Sequence, residues 1–193
     1  MRSIGPSPFG LRLAAQAIAA GEVIAYPTEA VYGLGCDPLD ARAVRRILAM
    51  KQRPERKGLI LIAADLEALW PFVLPLGPAR MAEIQASWPG PSTWLLPARE
   101  GTPTWLTGEH ETIAVRIPGH PLARALCAAW SRFGGGALVS TSANLAEQAP
   151  ARSALEVRRA FRAGPDLILN APCGGSARPS VIRDARTGQV LRA

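Results

Sequence analysis

Glu22-Val23-Ile24-Ala25-Tyr26-Pro27-Thr28-Glu29-Ala30-Val31-Tyr32-Gly33-Leu34-Gly35 carries an apolar run straight into a proline, a hydroxyl, an acid and two glycines. How this stretch is read decides the fold. Glu22 to Tyr26 has the short apolar character of a strand. Pro27 ends it, and Gly33 and Gly35 are expected to let the following loop fold tightly. Thr28 and Glu29 then stand at a strand end, where α/β sheets bind ligands. The stretch reads as both a turn and the lip of a site.

Working outward, Leu11 to Ala20 is alanine-rich and closes at Gly21, as a helix with a glycine end does. Asp40 is placed to cap a helix over Ala41 to Met50, with Val44, Ile47 and Leu48 on one face and Pro54 as its stop. Leu59-Ile60-Leu61-Ile62 is an unbroken apolar run, which suits a strand covered on both faces. Helices are expected at Asp65 to Trp70, Ala79 to Ser87, Pro121 to Trp130 and Ser153 to Phe161. Strands are expected at Thr93 to Leu96, Thr112 to Ile117, Ala137 to Ser140, Leu167 to Leu169, Val181 to Arg183 and Gln189 to Leu191. Asn170 to Arg178 reads as a mobile loop. This alternation predicts an α/β fold with a largely covered central sheet, as a single domain over 7–193.

A chain of 193 residues can bury a sizeable core without a metal or disulfide. Lys and Arg number 22 against 15 Asp and Glu, a formal charge of +7, and only Lys51 and Lys57 are lysines. Arginine favours bidentate contact with phosphate and carboxylate, so anionic partners are expected. Three scattered cysteines and two histidines exclude a disulfide framework and a Cys/His metal site. No stretch approaches the roughly 20 apolar residues of a membrane span. The N-terminus lacks a signal-peptide core, so the expected location is the cytoplasm.

The familiar catalytic devices are absent: no GxxxxGK[ST], no GxSxG, no HExxH, and Gly33-Leu34-Gly35 lacks the third glycine of a dinucleotide fingerprint. Polar residues at strand ends remain. Lys51-Gln52-Arg53-Pro54-Glu55-Arg56-Lys57 places four cations at a helix end. They either complement the helix dipole or clamp a phosphate. Ser140, Thr141, Ser142 and Asn144 follow the apolar residues Ala137 to Val139, as an ordinary hydroxyl-rich turn or as an oxyanion cradle. Arg116 lies between Val115 and Ile117 in a core strand, which is costly unless a carboxylate or an anionic ligand pairs with it.

Six segments in order resemble the YrdC family: YPTEAVYGLG from Tyr26, KQRP from Lys51, WPGPST from Trp88, AVRIP from Ala114 with His120-Pro121, STSAN from Ser140, and PSVIRD from Pro179. The similarity is to the family's short bacterial threonylcarbamoyl-AMP synthase branch and spans about Gly21 to Arg192. It implies one α/β domain around a twisted sheet with a basic concave site. It implies an enzyme, a nucleotidyltransferase that makes threonylcarbamoyl-adenylate and pyrophosphate from L-threonine, bicarbonate or CO2, and ATP. Other proteins, the tRNA threonylcarbamoyl transferases, then modify an adenosine beside the anticodon. By the same resemblance Lys51, Arg53, Lys57, Thr112, Ser142, Asn144 and Arg192 meet ATP. Thr28, Arg116, Ser140 and Ser180 meet threonine. Mg²⁺ is held by the phosphates, not by protein side chains. No nucleophile is needed, since the chemistry asks for alignment and charge neutralisation.

The sequence departs from the family at three places. Ala30 stands where a second threonine is common, Leu59 to Ile62 is followed by no histidine, and Leu145-Ala146-Glu147-Gln148 replaces Ser-Gly after STSAN. The chain is expected to lack the C-terminal domain of the family's long branch. Two other readings compete: a non-catalytic module for tRNA or double-stranded RNA on the basic surface, and a carbamoyl-phosphate-dependent enzyme of hydrogenase maturation. Direct tRNA binding is also compatible with the synthase.

Overall fold

The computed structural model describes residues 1–146, 148–161, 163–177 and 179–192; Glu147, Arg162, Arg178 and Ala193 lie outside the described residues. Along the chain run β1 (Arg2–Ile4), α1 (Pro8–Ala19), β2 (Ile24–Pro27), β3 (Tyr32–Gly35), α2 (Ala41–Lys51), β4 (Ile60–Ile62), α3 (Pro78–Ala86) and β5 (Ser92–Pro97). There follow α4 (Thr104–Thr107), β6 (Thr112–Arg116), α5 (Pro121–Ser131), β7 (Leu138–Ser142), α6 (Ala154–Ala160), β8 (Leu167–Leu169), β9 (Val181–Asp184) and β10 (Val190–Arg192). The strands form one mixed sheet in the order β1-β8-β2-β3-β7-β4-β6-β5-β9-β10.

The opening stretch is a hairpin. β2 pairs antiparallel with β3, from Ile24 opposite Gly35 to Pro27 opposite Tyr32. Gly33 and Gly35 therefore lie in a strand, not in a tight loop. Their role is close approach. A Cβ on Gly35 would come 2.5 Å from the Val139 carbonyl oxygen, and one on Gly33 would come 3.3 Å from the Tyr26 ring. The actual turn is Thr28 to Val31, closed by the Thr28 amide donating to the Val31 carbonyl at 3.0 Å.

Several helix ends follow their caps. Ser7 caps α1 and Pro8 opens it, so the helix begins three residues before Leu11. Asp40 caps α2 through the amides of Arg42 and Ala43. α2 ends at Gln52, which adopts the left-handed conformation at φ 52°, before Pro54 can act. Ser153 caps α6. Asp65 to Trp70, read as a helix, contains only a single 3₁₀ turn, Glu67–Leu69. β1, α4 and the 3₁₀ turn Glu55–Lys57 were not expected; each is too short to show a period.

β7 begins at Leu138 and runs past the expected end at Ser140 through Thr141 and Ser142, which are therefore strand and not turn. Ser140 is opposite Ile60 of β4, while Thr141 and Ser142 are opposite Leu34 and Gly33 of β3. Three hydroxyls in a central strand read as turn residues because turns favour them. Asn170 to Ala177 carries no regular element, and Arg178 lies outside the described residues.

Strand alternation sorts the side chains to two faces. One face carries Ala25, Leu34, Leu61, Val115 and Val139 and packs with α2 and α3 into the larger core cluster. The other carries Ile24, Tyr26, Ile62, Leu138, Leu167 and Leu169 beneath α1 and α5. That helix cover stops at β7 and β4. Beyond it the second face continues over small residues and is open.

Candidate active site

The open part of the second face is the floor of a cleft of about 530 Å³. That volume lies within the usual range of small-molecule sites. Register explains the floor. Gly33, Ser142, Ser140, Ile60, Ala114 and Leu95 follow one another across neighbouring strands on one face. Their side chains are short at the centre, so the sheet itself lies close to any ligand.

Arg53, Lys57 and Arg192 line the cleft, with Arg116 at the end of β6. Arg53 is anchored: its guanidinium donates to the carbonyl of Gly58 at 2.9 Å and of Lys57 at 3.3 Å. Burial lowers the Arg53 pKa, and the charge of Arg192 lowers it further. Arg192 is itself lowered by desolvation and then by Arg116, while its Nη2 donates to the Ser180 carbonyl at 3.2 Å. Three guanidiniums thus repel one another around one cavity. An anion in the cleft relieves that repulsion.

Arg116 is 7% exposed and forms an ion pair with Glu29 at 3.2 Å. This pair resolves the oddity of an arginine in a core strand. Glu29 Oε1 also accepts the Gly119 amide at 2.7 Å. Glu29 Oε2 is buried and has no aligned hydrogen bond.

Nine of the eleven residues singled out for binding line the cleft: Arg53, Lys57, Thr112, Ser142, Arg192, Thr28, Arg116, Ser140 and Ser180. Thr28 Oγ1 donates to the Val31 carbonyl at 2.7 Å, which fixes the hairpin turn. Ser180 Oγ accepts from the buried Thr93 hydroxyl at 2.9 Å. Lys51 and Asn144 lie behind the wall. Lys51 is 5% exposed; its ammonium donates to the carbonyl of Ser142, to the carbonyl of Asn144 at 2.9 Å and to Asn144 Oδ1 at 3.1 Å. Asn144 Oδ1 also accepts from the Ser142 hydroxyl at 2.6 Å, and its Nδ2 donates to Leu145 and Gln148 carbonyls. Both residues brace the exit of β7 beneath Ser142. Burial lowers the Lys51 pKa to about 8, with Arg53 adding to the effect.

The segment after Asn170 crosses the hairpin turn. The Gly174 and Ser176 amides donate to the Thr28 and Glu29 carbonyls at 3.0 and 2.9 Å, and the Tyr32 hydroxyl donates to the Ala171 carbonyl at 2.6 Å. Cleft residues that the sequence did not single out include His110 and Leu191. Neither lies in a motif.

Residues 16–193 match the Sua5/YciO/YrdC family, described as "Telomere recombination". The chain belongs to this family. It is 55% identical over 189 residues to the threonylcarbamoyl-AMP synthase of Halorhodospira halophila, covering 97% of this chain and 96% of the relative. The structure of E. coli YciO aligns with TM-score 0.84 at 27% identity, covering 99% of this chain and 93% of that one. P. abyssi Sua5 complexed with L-threonine aligns with TM-score 0.85 at 31% identity, covering 95% of this chain and 53% of that one. This chain therefore spans about half of that Sua5 protein. No helix among the described residues is long and apolar enough to cross a membrane.

Proposed function

We propose that the cleft joins L-threonine, bicarbonate or CO2, and ATP into threonylcarbamoyl-AMP and pyrophosphate. The observation that carries this is a buried Arg116–Glu29 pair inside a cavity whose walls also present Arg53, Lys57 and Arg192. One arginine suits a small carboxylate at the floor. The remaining cations suit a polyphosphate. A synthase needs both in one cavity, and it needs little else from the protein.

The reaction follows from that division. The threonine ammonium releases one proton to become the amine, which attacks CO2; loss of a second proton to solvent leaves a carbamate with one N–H. A carbamate oxygen attacks the α-phosphorus of ATP. A P–O bond forms there, the bridge to the β-phosphorus breaks, and its electron pair leaves with pyrophosphate. The chain aligns the reactants and neutralises the charge that gathers on the leaving group. Arg53, Lys57 and Arg192 face the phosphates, with Thr112 and Ser142 along the nucleotide. Lys51 and Asn144 hold Ser142 in place from behind. Arg116 takes the threonine carboxylate, with Thr28, Ser140 and Ser180 around the amino acid.

Mg²⁺ would be held by the phosphate oxygens of the nucleotide and would offset part of their charge. Among the described residues no three His, Cys, Asp or Glu side chains gather to hold a metal ion. Glu29, the carboxylate in the cleft, is already engaged by Arg116 and Gly119. The product adenylate serves a transferase that modifies tRNA beside the anticodon, and the basic surface also admits direct contact with tRNA.

The test is pyrophosphate release from ATP in bicarbonate buffer with Mg²⁺. Release that requires both L-threonine and bicarbonate, with a labile adenylate recovered, is the expected result. No release from folded protein that binds RNA would replace this reading with the RNA-binding one.

A further inference from the structure

Glu29 is the one carboxylate among the described residues lining the cleft. Its two oxygens are unequal. Oε1 is satisfied by the Gly119 amide at 2.7 Å. Oε2 is buried, stands 3.2 Å from the Arg116 guanidinium, and has no aligned hydrogen bond. Buried polar atoms are normally paired, and an orphan at a site calls for a ligand group. The carboxylate is held by the Gly119 amide on Oε1 and by Arg116 beside Oε2, and the backbone that carries it is held as well. Its carbonyl accepts the Ser176 amide at 2.9 Å, and the preceding carbonyl, of Thr28, accepts the Gly174 amide at 3.0 Å.

We infer that Glu29 Oε2 is the receptor for the amino nitrogen of the amino-acid substrate. The inference rests on the synthase reading and deepens it. An α-amino acid arrives with a carboxylate and an ammonium on adjacent bonds. The floor of the cleft offers the complementary pair on adjacent side chains, the Arg116 guanidinium and the Glu29 carboxylate. An ammonium on Oε2 supplies the missing hydrogen bond and adds a second cation beside Arg116, which meets that oxygen without an aligned hydrogen bond. After carboxylation the nitrogen keeps one N–H, so it remains a donor to the same oxygen. The reacting nitrogen is thereby held while its new carbamate oxygen points away toward the nucleotide. Glu29 in this role sets specificity for a free amine, and it separates amino acids from the hydroxy acids that share their carboxylate.

A merely structural Glu29 would only orient Arg116. The two roles differ in what they do to a ligand without the amine. Binding of L-threonine and of 2,3-dihydroxybutanoate, which carries a hydroxyl in place of the amine, is measured by calorimetry on wild type and Glu29→Gln. Gln keeps an oxygen for the Gly119 amide and turns an NH₂ toward the position of Oε2. Wild type is expected to prefer threonine at least tenfold, and that preference is expected to fall at least tenfold in Glu29→Gln. Damage passed through Arg116 alone weakens both ligands equally and leaves the ratio unchanged; that outcome overturns the inference and leaves the synthase reading intact. Failure of wild type to bind threonine at all overturns both. Circular dichroism checks folding. Should Glu29→Gln not fold, Glu29→Asp withdraws the charge by one methylene, and the same ratio must fall at least threefold.

Discussion

The second face of the sheet has two halves with the same backbone and opposite uses. Under α1 and α5 it carries Ile24, Tyr26, Ile62 and Leu138, all buried. Beyond that cover it carries Gly33, Ala114, Ser140 and Ser142 and is open. The boundary runs within strands: β4 contributes Ile62 to the covered half and Ile60 to the cleft, and β7 contributes Leu138 to one and Ser140 to the other. Side-chain bulk builds core where a helix can lie on it. Its absence leaves a trough where a nucleotide can lie instead.

That contrast is open to direct attack, first with the largest effects. Ala114→Phe fills the floor, where no helix is displaced. Nucleotide binding by fluorescence titration is expected to be lost, with stability changed by less than about 1 kcal/mol, as for a surface substitution. Leu138→Ala does the reverse. It opens a cavity beneath α1 and α5 and costs about 2–5 kcal/mol in urea unfolding. Ligand affinities of the still-folded protein stay within about threefold, because the cavity opens beneath α1 and α5 and leaves the residues of the cleft floor in place. If Leu138→Ala removes ligand binding while the protein stays folded, the two halves are not separate in function.

Arg116→Ala comes next. It removes one partner of a buried charge pair, for which losses of about 2–5 kcal/mol are typical. L-Threonine affinity is expected to fall by at least about 30-fold, which corresponds to the low end of that range. ATP affinity is expected to change much less. Equal loss of both ligands in folded protein would move Arg116 out of the amino-acid end of the cleft. Arg53→Ala is milder, about tenfold in ATP affinity with a shallower salt dependence, because Arg53 shares its task with Lys57 and Arg192.

Much of the covered half was legible in the sequence. Its strands are apolar runs, α1 shows as an alanine-rich stretch closing at Gly21, and α5 opens on Pro121; the Ser7 cap went unread, so the start of α1 was placed at Leu11. The open half was legible only as oddities. Arg116 in a core strand pointed to a partner, and the partner is Glu29, from a motif read for its turn. β3 stayed hidden because two of its four residues are glycine, which strands disfavour. In β7 the expected strand stopped at Ser140, because the run of hydroxyls through Ser142 has the composition of a turn. A strand built to lie against a ligand loses the composition by which strands are recognised. Lys51 shows the converse: a cation in a phosphate-like motif turns inward, where the carbonyls of Ser142 and Asn144 accept from its ammonium.

The smallest expected effect separates the two regions by sign. Lys51, behind the cleft wall, has its pKa lowered by burial from 10.5 to about 8. Between those values the unfolded chain holds a proton that the folded chain has lost, so this group makes stability rise with pH. Cys127, in the covered half, has its thiol pushed by burial from 9.0 up to about 12. Between those values the folded chain keeps a proton that the unfolded chain has lost, so this group makes stability fall. Tyr26 is raised by burial in the same sense. Urea unfolding at stepped pH isolates each contribution as a difference from a variant. The stability of wild type relative to Lys51→Met should increase by about 1 kcal/mol from pH 8 to pH 9. The stability of wild type relative to Cys127→Ala should decrease by about 1 kcal/mol from pH 9 to pH 10. A Lys51 difference that stays flat through pH 8 to 9 would mean that its three oxygen acceptors outweigh its burial. The ammonium would then stay charged, and its brace on Ser142 would persist into alkaline solution.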